Sequence, residues 1–169
     1  MSSKLSKKDV ADLIQALCVV VVDDNQHMRK MIRTLLVNCG IKDIYEAADG
    51  IAALDVIRTV GPDVVILDWE MPLLSGAELV RIVRSPGVFP IPDVPIIMLS
   101  AHGERWRVIE AVKLGVPQPT NLEMRCVFDS MTAGIRDLYG NHKDPADVAA
   151  AMQTSAEAGV APGGECGPA

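Results

Sequence analysis

Residues 62–72, PDVVILDWEMP, decide how this chain is read. A short apolar run, residues 64–67, meets an acid, Asp68, and then Trp69, Glu70, Met71 and a rigid Pro72. A run of this length, rich in β-branched residues and bounded by turn residues, has the character of a strand buried on both faces. A carboxylate without a partner is costly to bury at the end of such a strand. Either Asp68 faces solvent there, or something neutralises it.

Working outward, the same alternation repeats on both sides. Cys18–Val22 is a continuous apolar run that ends in Asp23-Asp24. Met28, Met31, Ile32, Leu35, Leu36 and Cys39 then recur at helical spacing, and Gly40 stands where a C-terminal cap belongs. Residues 44–47 read as a second strand, and Asp49-Gly50 turns the chain. Ile51, Leu54, Ile57 and Val60 form a helical face stopped by Gly61-Pro62. Beyond the opening stretch, Ala77, Leu79, Val80 and Val83 predict a helix after Gly76. A Pro-rich link, residues 86–95, leads into a fourth strand over 94–99 that ends at Ser100-Ala101. Trp106, Ile109, Val112 and Leu114 predict a fourth helix, stopped by Gly115. Strands and helices alternating over short links specify an α/β fold with a parallel sheet and right-handed crossovers.

Composition narrows the function classes. The 169 residues are 49% hydrophobic and only 4% aromatic, so the core is built from Val, Ile, Leu, Met and Ala. A net charge of −6 argues against nucleic acid, and no DNA partner is expected. Cys18, Cys39, Cys126 and Cys166 form no CxxC pair, which points to reduced thiols in a cytoplasmic protein. The longest apolar run, residues 16–22, is too short for a bilayer, and no signal-peptide pattern precedes it, so no membrane partner is expected.

The expected organisation has four parts. Residues 1–16 form an N-terminal extension, helical from Val10, Leu13, Ile14 and Leu17. Residues 17–116 form the α/β domain. Residues 117–158 are atypical: a turn-like Pro117-Gln118-Pro119-Thr120, a possible strand at 124–128, and an Ala-rich helical stretch at 145–158. Residues 159–169, rich in Gly and Pro, are expected to be disordered.

In open parallel sheets, functional groups gather beyond the carboxyl ends of the strands. Asp23-Asp24, Asp68 and Ser100 all stand at such ends. Each has an ordinary explanation alone: an Asp-Asp pair is commonly a solvated turn, and a serine at a strand end is commonplace. Together their carboxylates repel, and a hard divalent cation such as Mg²⁺ resolves the repulsion with oxygen ligands. A carboxylate beside such a cation is a nucleophile toward phosphorus, giving an aspartyl-phosphate. Ser100 would donate its hydroxyl to a phosphoryl oxygen.

The stretches VVVVDDNQHMRKMIRTLL, EAADGIAAL, PDVVILDWEMPLLSGAELVRIVR and VPIIMLSAHG together resemble the receiver domain of two-component response regulators, in order and spacing, over residues 17–116. The resemblance implies a five-stranded, doubly wound parallel sheet of flavodoxin-like strand order, 2-1-3-4-5. It implies that Asp68 accepts a phosphoryl group from the phosphohistidine of a sensor histidine kinase or phosphotransfer protein. It further implies Mg²⁺ held by Asp23, Asp24, Asp68 and the Glu70 backbone carbonyl. Ser100 would be the switch hydroxyl, with Trp69, Ala101 and His102 flanking the phosphoryl group, and output would pass through contacts with a downstream protein. His27 reads as a first-turn helix residue.

One element departs from the family pattern. Receiver domains carry a Lys-Pro at the end of their fifth strand, and residues 116–126 here, VPQPTNLEMRC, hold no lysine. Three accounts stand. An insertion displaces the element, so that Lys143 in the stretch TAGIRDLYGNHKDPADVAAAM supplies the cation. Alternatively, the last third is unrelated sequence and the fifth strand is absent or replaced by residues 124–128. In the third account Arg125 substitutes, although a planar guanidinium is not an equivalent point charge. The rival function is a pseudo-receiver, a binding module that no longer cycles phosphate. A phosphotransferase with an Asp nucleophile would want a second Asp where Glu70 stands. Any catalysis would be confined to the chain's own phosphorylation and dephosphorylation.

Overall fold

The computed structural model describes residues 7–99, together with 144, 146–148, 150–151, 160–161 and 164–165. Among these, one compact unit holds Cys18–Arg33 and residues 43–99. A second holds residues 7–17, Thr34–Lys42 and the described residues beyond 143.

The first unit is a parallel sheet. Strands β1 (Cys18–Val22), β2 (Asp43–Ala47), β3 (Val64–Asp68) and β4 (Ile96–Leu99) lie in the order β2-β1-β3-β4. Val20 pairs with Tyr45 on one side and Val65 on the other, and Leu67 pairs with Met98. The alternation predicts the parallel sheet, and this order is the one the receiver resemblance implies, over its first four strands. The expected fifth strand and the helix over 106–114 lie outside the described residues.

The helices are α1 (Lys7–Ala16), α2 (Gln26–Asn38), α3 (Gly50–Val60) and α4 (Gly76–Arg84). Asp49 caps α3 by accepting the Ala52 N–H at 2.8 Å, and Gly61 ends it in the left-handed conformation. Ser75 and Glu78 cap α4 reciprocally. Ala53 and Ile57 of α3 and Leu79, Val80 and Val83 of α4 pack with Val20, Val22, Val65, Leu67 and Ile96 of the sheet in one apolar cluster. The strand residues that alternate with these, Val19, Val21, Val64 and Ile66, are equally buried, so β1 and β3 are covered on both faces. That is why they read as unbroken apolar runs.

β2, at one end of the strand order, is less covered: only Ile44 and Ala47 of its residues are buried. Arg33 of α2 donates to the Ile44 carbonyl at 3.1 Å and pairs with Glu46 at 3.2 Å, placing a cation over this edge. Between α4 and β4, Arg84 donates to the carbonyls of Pro92 and Val94, and Arg58 lies over the Phe89 ring at 5.3 Å. β4 begins two residues later than the apolar pattern suggests. Pro95 has no N–H for a ladder, and the Val94 N–H turns back to Ile91.

In the second unit Ile14, Leu17, Leu35, Leu36, Cys39 and Ile41 are buried. Gly40, at φ 94°, closes α2, with the Gly40 and Ile41 N–H groups donating to Val37 and Leu36. Within the Ala-rich stretch, residues 146–148 and 150–151 are helical and Val148 is buried. In the stretch read as a disordered tail, β5 (Val160–Ala161) pairs antiparallel with β6 (Gly164–Glu165). No helix among the described residues is long and apolar enough to cross a membrane.

Candidate functional site

The register of the sheet builds the site. Val22 pairs with Leu67, so one step further brings Asp23 beside Asp68, each in phase with the same face of its strand. Asp68 is the last residue of β3 and pairs with Leu99, and the Trp69 N–H donates to the Leu99 carbonyl at 2.9 Å. The acid that the opening stretch placed after a strand is therefore held by the ladder itself.

The chain turns sharply beyond β1. The Asp23 N–H donates to the Ala47 carbonyl, and one Asp23 carboxylate oxygen accepts the Asn25 N–H at 2.8 Å. Asn25 accepts the N–H groups of His27 and Met28 and starts α2 at once. Arg29, one turn on, donates to the Asp23 carbonyl at 2.6 Å and pairs with Glu46 at 3.5 Å. This short link leaves Asp23 only 2% exposed, while Asp24 is exposed.

Carboxylate oxygens of Asp23, Asp24 and Asp68 all lie within 4.8 Å of one another. Such crowding has an electrostatic signature. Burial, then the Asp23 charge and, more weakly, Asp24 push the Asp68 carboxyl up from 3.8 to about 6, against the backbone N–H groups of Glu70 and Trp69 that favour its ionised form. Two or three hard oxygen donors, one buried and one open to solvent, fit a Mg²⁺ that keeps several waters. By contrast, the thiols of Cys18 and Cys39 are free and raised above their ordinary value, Cys39 by burial to about 11, so neither is an activated nucleophile.

The remaining expected residues divide. Trp69 is buried at 7% exposure, and Glu70 is exposed. His27 lies exposed in the first turn of α2, as its position suggested. Ser100, Ala101, His102, Arg125 and Lys143 lie outside the described residues. Sequence reasoning missed Arg29, whose reach to the Asp23 carbonyl depends on where α2 begins. It also missed the role of Asn25, although an Asn ahead of a helical pattern is a capping signal.

Comparison with known proteins agrees with this geometry. Residues 19–118 match the model of the response regulator receiver domain. A chemotaxis protein CheY homolog of Campylobacter jejuni is 41% identical over 99 residues, covering 58% of this chain and 75% of that protein. Chemotaxis protein CheY1 of Helicobacter pylori is 38% identical over 99 residues, covering 58% and 78%. Among solved structures, the chemotaxis response regulator CheY4 of Vibrio cholerae superposes with a TM-score of 0.53 at 31% identity, covering 59% of this chain and 80% of that one. A Francisella response regulator receiver domain gives 0.56 at 31% identity, covering 75% and 99%. With its sheet order, its acidic triad and this match over more than half its length, the chain belongs to the response regulator receiver domain family.

Proposed function

We propose that this chain is a phosphoacceptor whose Asp68 takes a phosphoryl group from a phosphohistidine and that it signals through protein contacts. The convergence of Asp23, Asp24 and Asp68 at the carboxyl end of the sheet carries this reading. An Asp68 carboxylate oxygen forms the new bond to phosphorus as the P–N bond of the phosphohistidine breaks, and the imidazole leaves with the electron pair. Mg²⁺ bound to the triad would neutralise the carboxylates and offset the charge on the phosphoryl oxygens. Asp23 orients the site from its buried position, Asp24 stands at its solvent side, and the Glu70 carbonyl would be the fourth protein group to hold the cation. Ser100 donates to a phosphoryl oxygen, small Ala101 leaves room for the group, and Trp69 and His102 border it.

The partners in this reading are a sensor histidine kinase or phosphotransfer protein and a downstream protein, in the cytoplasm. The relatives named for chemotaxis support a receiver of the CheY type. The absence of a lysine from residues 116–126 favours a second reading, a binding module with a relic site.

Tryptophan fluorescence separates the two. In a Trp106→Phe background, Mg²⁺ followed by beryllofluoride or acetyl phosphate is expected to change Trp69 emission, and Asp68→Asn is expected to abolish the change. No response in the folded protein would leave the binding-module reading. Retention of the Mg²⁺ response in Lys143→Ala, with loss of the response to phosphoryl analogues, would identify Lys143 as the displaced cation.

A further inference from the structure

The loop that follows Asp68 is closed between two helix starts. α3 begins on Gly50 and α4 on Gly76, each the first residue after its cap, Asp49 or Ser75. Neither glycine has a positive φ, so backbone conformation does not demand it. Space does. A Cβ on Gly76 would overlap the Asp68 carbonyl oxygen and lie 3.1 Å from the Trp69 Cα. A Cβ on Gly50 would lie 2.8 Å from both the Cβ and the carbonyl oxygen of Leu74. The Gly76 N–H also donates to the Trp69 carbonyl at 3.0 Å.

Two helices thus grip the backbone of one loop near its two ends, and the peptide of Asp68 lies under one grip. Between them Leu73 stands at φ 70°, with the Leu74 N–H donating to the Pro72 carbonyl at 2.8 Å. A leucine rarely adopts this turn. Its side chain is 84% exposed, so the hold comes from the backbone on either side.

Resting on the phosphoacceptor reading, we infer that Gly50 and Gly76 are positioning residues for Asp68. They let α3 and α4 approach until the Asp68 carboxylate is fixed against Asp23 and Asp24, and they thereby set the cation affinity of the triad. Neither glycine touches a reacting atom.

The test uses the full chain with Trp106→Phe, reading Mg²⁺ affinity from Trp69 emission and stability from thermal melting. Gly76→Ala is expected to weaken Mg²⁺ binding roughly tenfold or more, the scale seen when the support of a metal ligand is lost. Gly61→Ala is the control. Gly61 is left-handed at φ 62° with no atom within 4 Å of an added Cβ, so alanine there should lower the melting temperature and leave the Mg²⁺ affinity unchanged. Gly76→Ala with wild-type Mg²⁺ affinity would overturn the inference. If Gly76→Ala does not fold, Gly50→Ala is judged by the same criterion, since one of its obstacles is the movable end of Leu74. Wild-type Mg²⁺ binding that is absent, or unchanged in Asp68→Asn, would sink the phosphoacceptor reading and this inference with it. Asp68-dependent binding with unaffected glycine variants would sink this inference alone.

Discussion

Asp68 sits in a conflict that a single substitution can expose. Its carboxyl is raised from 3.8 to about 6 in the folded, metal-free chain, because burial and the Asp23 charge disfavour ionisation. The native state therefore holds this proton more tightly than the unfolded chain. The associated stability is complete below about pH 4 and is lost as pH rises through about 6. Asparagine can keep accepting the backbone N–H groups but carries no charge. Asp68→Asn should therefore melt higher than wild type at pH 7 without metal and level with it at pH 4. Saturating Mg²⁺ should narrow the gap at pH 7 by stabilising wild type more. Equal melting curves at both pH values would refute the crowding. The triad itself was legible in sequence, because Asp23, Asp24 and Asp68 each end an apolar run. Its support by Arg29 was not, since a guanidinium reaching back six positions depends on the exact start of a helix.

At the scale of elements, β3 joins core to site. Leu67 is fully buried in the cluster under α3 and α4, and its neighbour Asp68 closes the strand. Leu67→Ala is expected to cost about 2–5 kcal/mol in denaturant unfolding, the usual range for a leucine truncated in a packed core. Loss of the α4 cap by Ser75→Ala should cost about 1 kcal/mol, read the same way. The strands were readable because two-sided burial removes the polar alternation and leaves plain apolar runs. The start of β4 was less so: apolar Val94 extends the pattern, but the prolines around it move the ladder. The demand for glycine at residues 50 and 76 was invisible, because Leu74 and the Asp68 carbonyl come close to them only once the chain has folded back. A one-dimensional pattern carries no record of that distance.

For the whole molecule, the feature that governs behaviour is the sheet's β4 side. Among the described residues β4 ends the order β2-β1-β3-β4. An edge of this kind, if uncovered, invites pairing between chains. The full chain is expected to melt toward the lower end of the ~45–65 °C range of small domains, with scattering that rises with protein concentration. A reversible, concentration-independent melt above that range would show the edge to be covered. The alternation of strands and helices made the receiver architecture legible as far as residue 99. Beyond Val116 the alternation stops and residues 116–126 hold no lysine where the family pattern places one, which leaves Lys143 as the residue to test.

The Leu99 carbonyl that receives the Trp69 N–H has a wider consequence. It ties Trp69, the residue after Asp68, to Leu99, the last residue of β4, so the two strand ends are joined by the ladder. On the phosphoacceptor reading, a group added to Asp68 would meet the ends of β3 and β4 already tied together, so both strand ends would feel it at once.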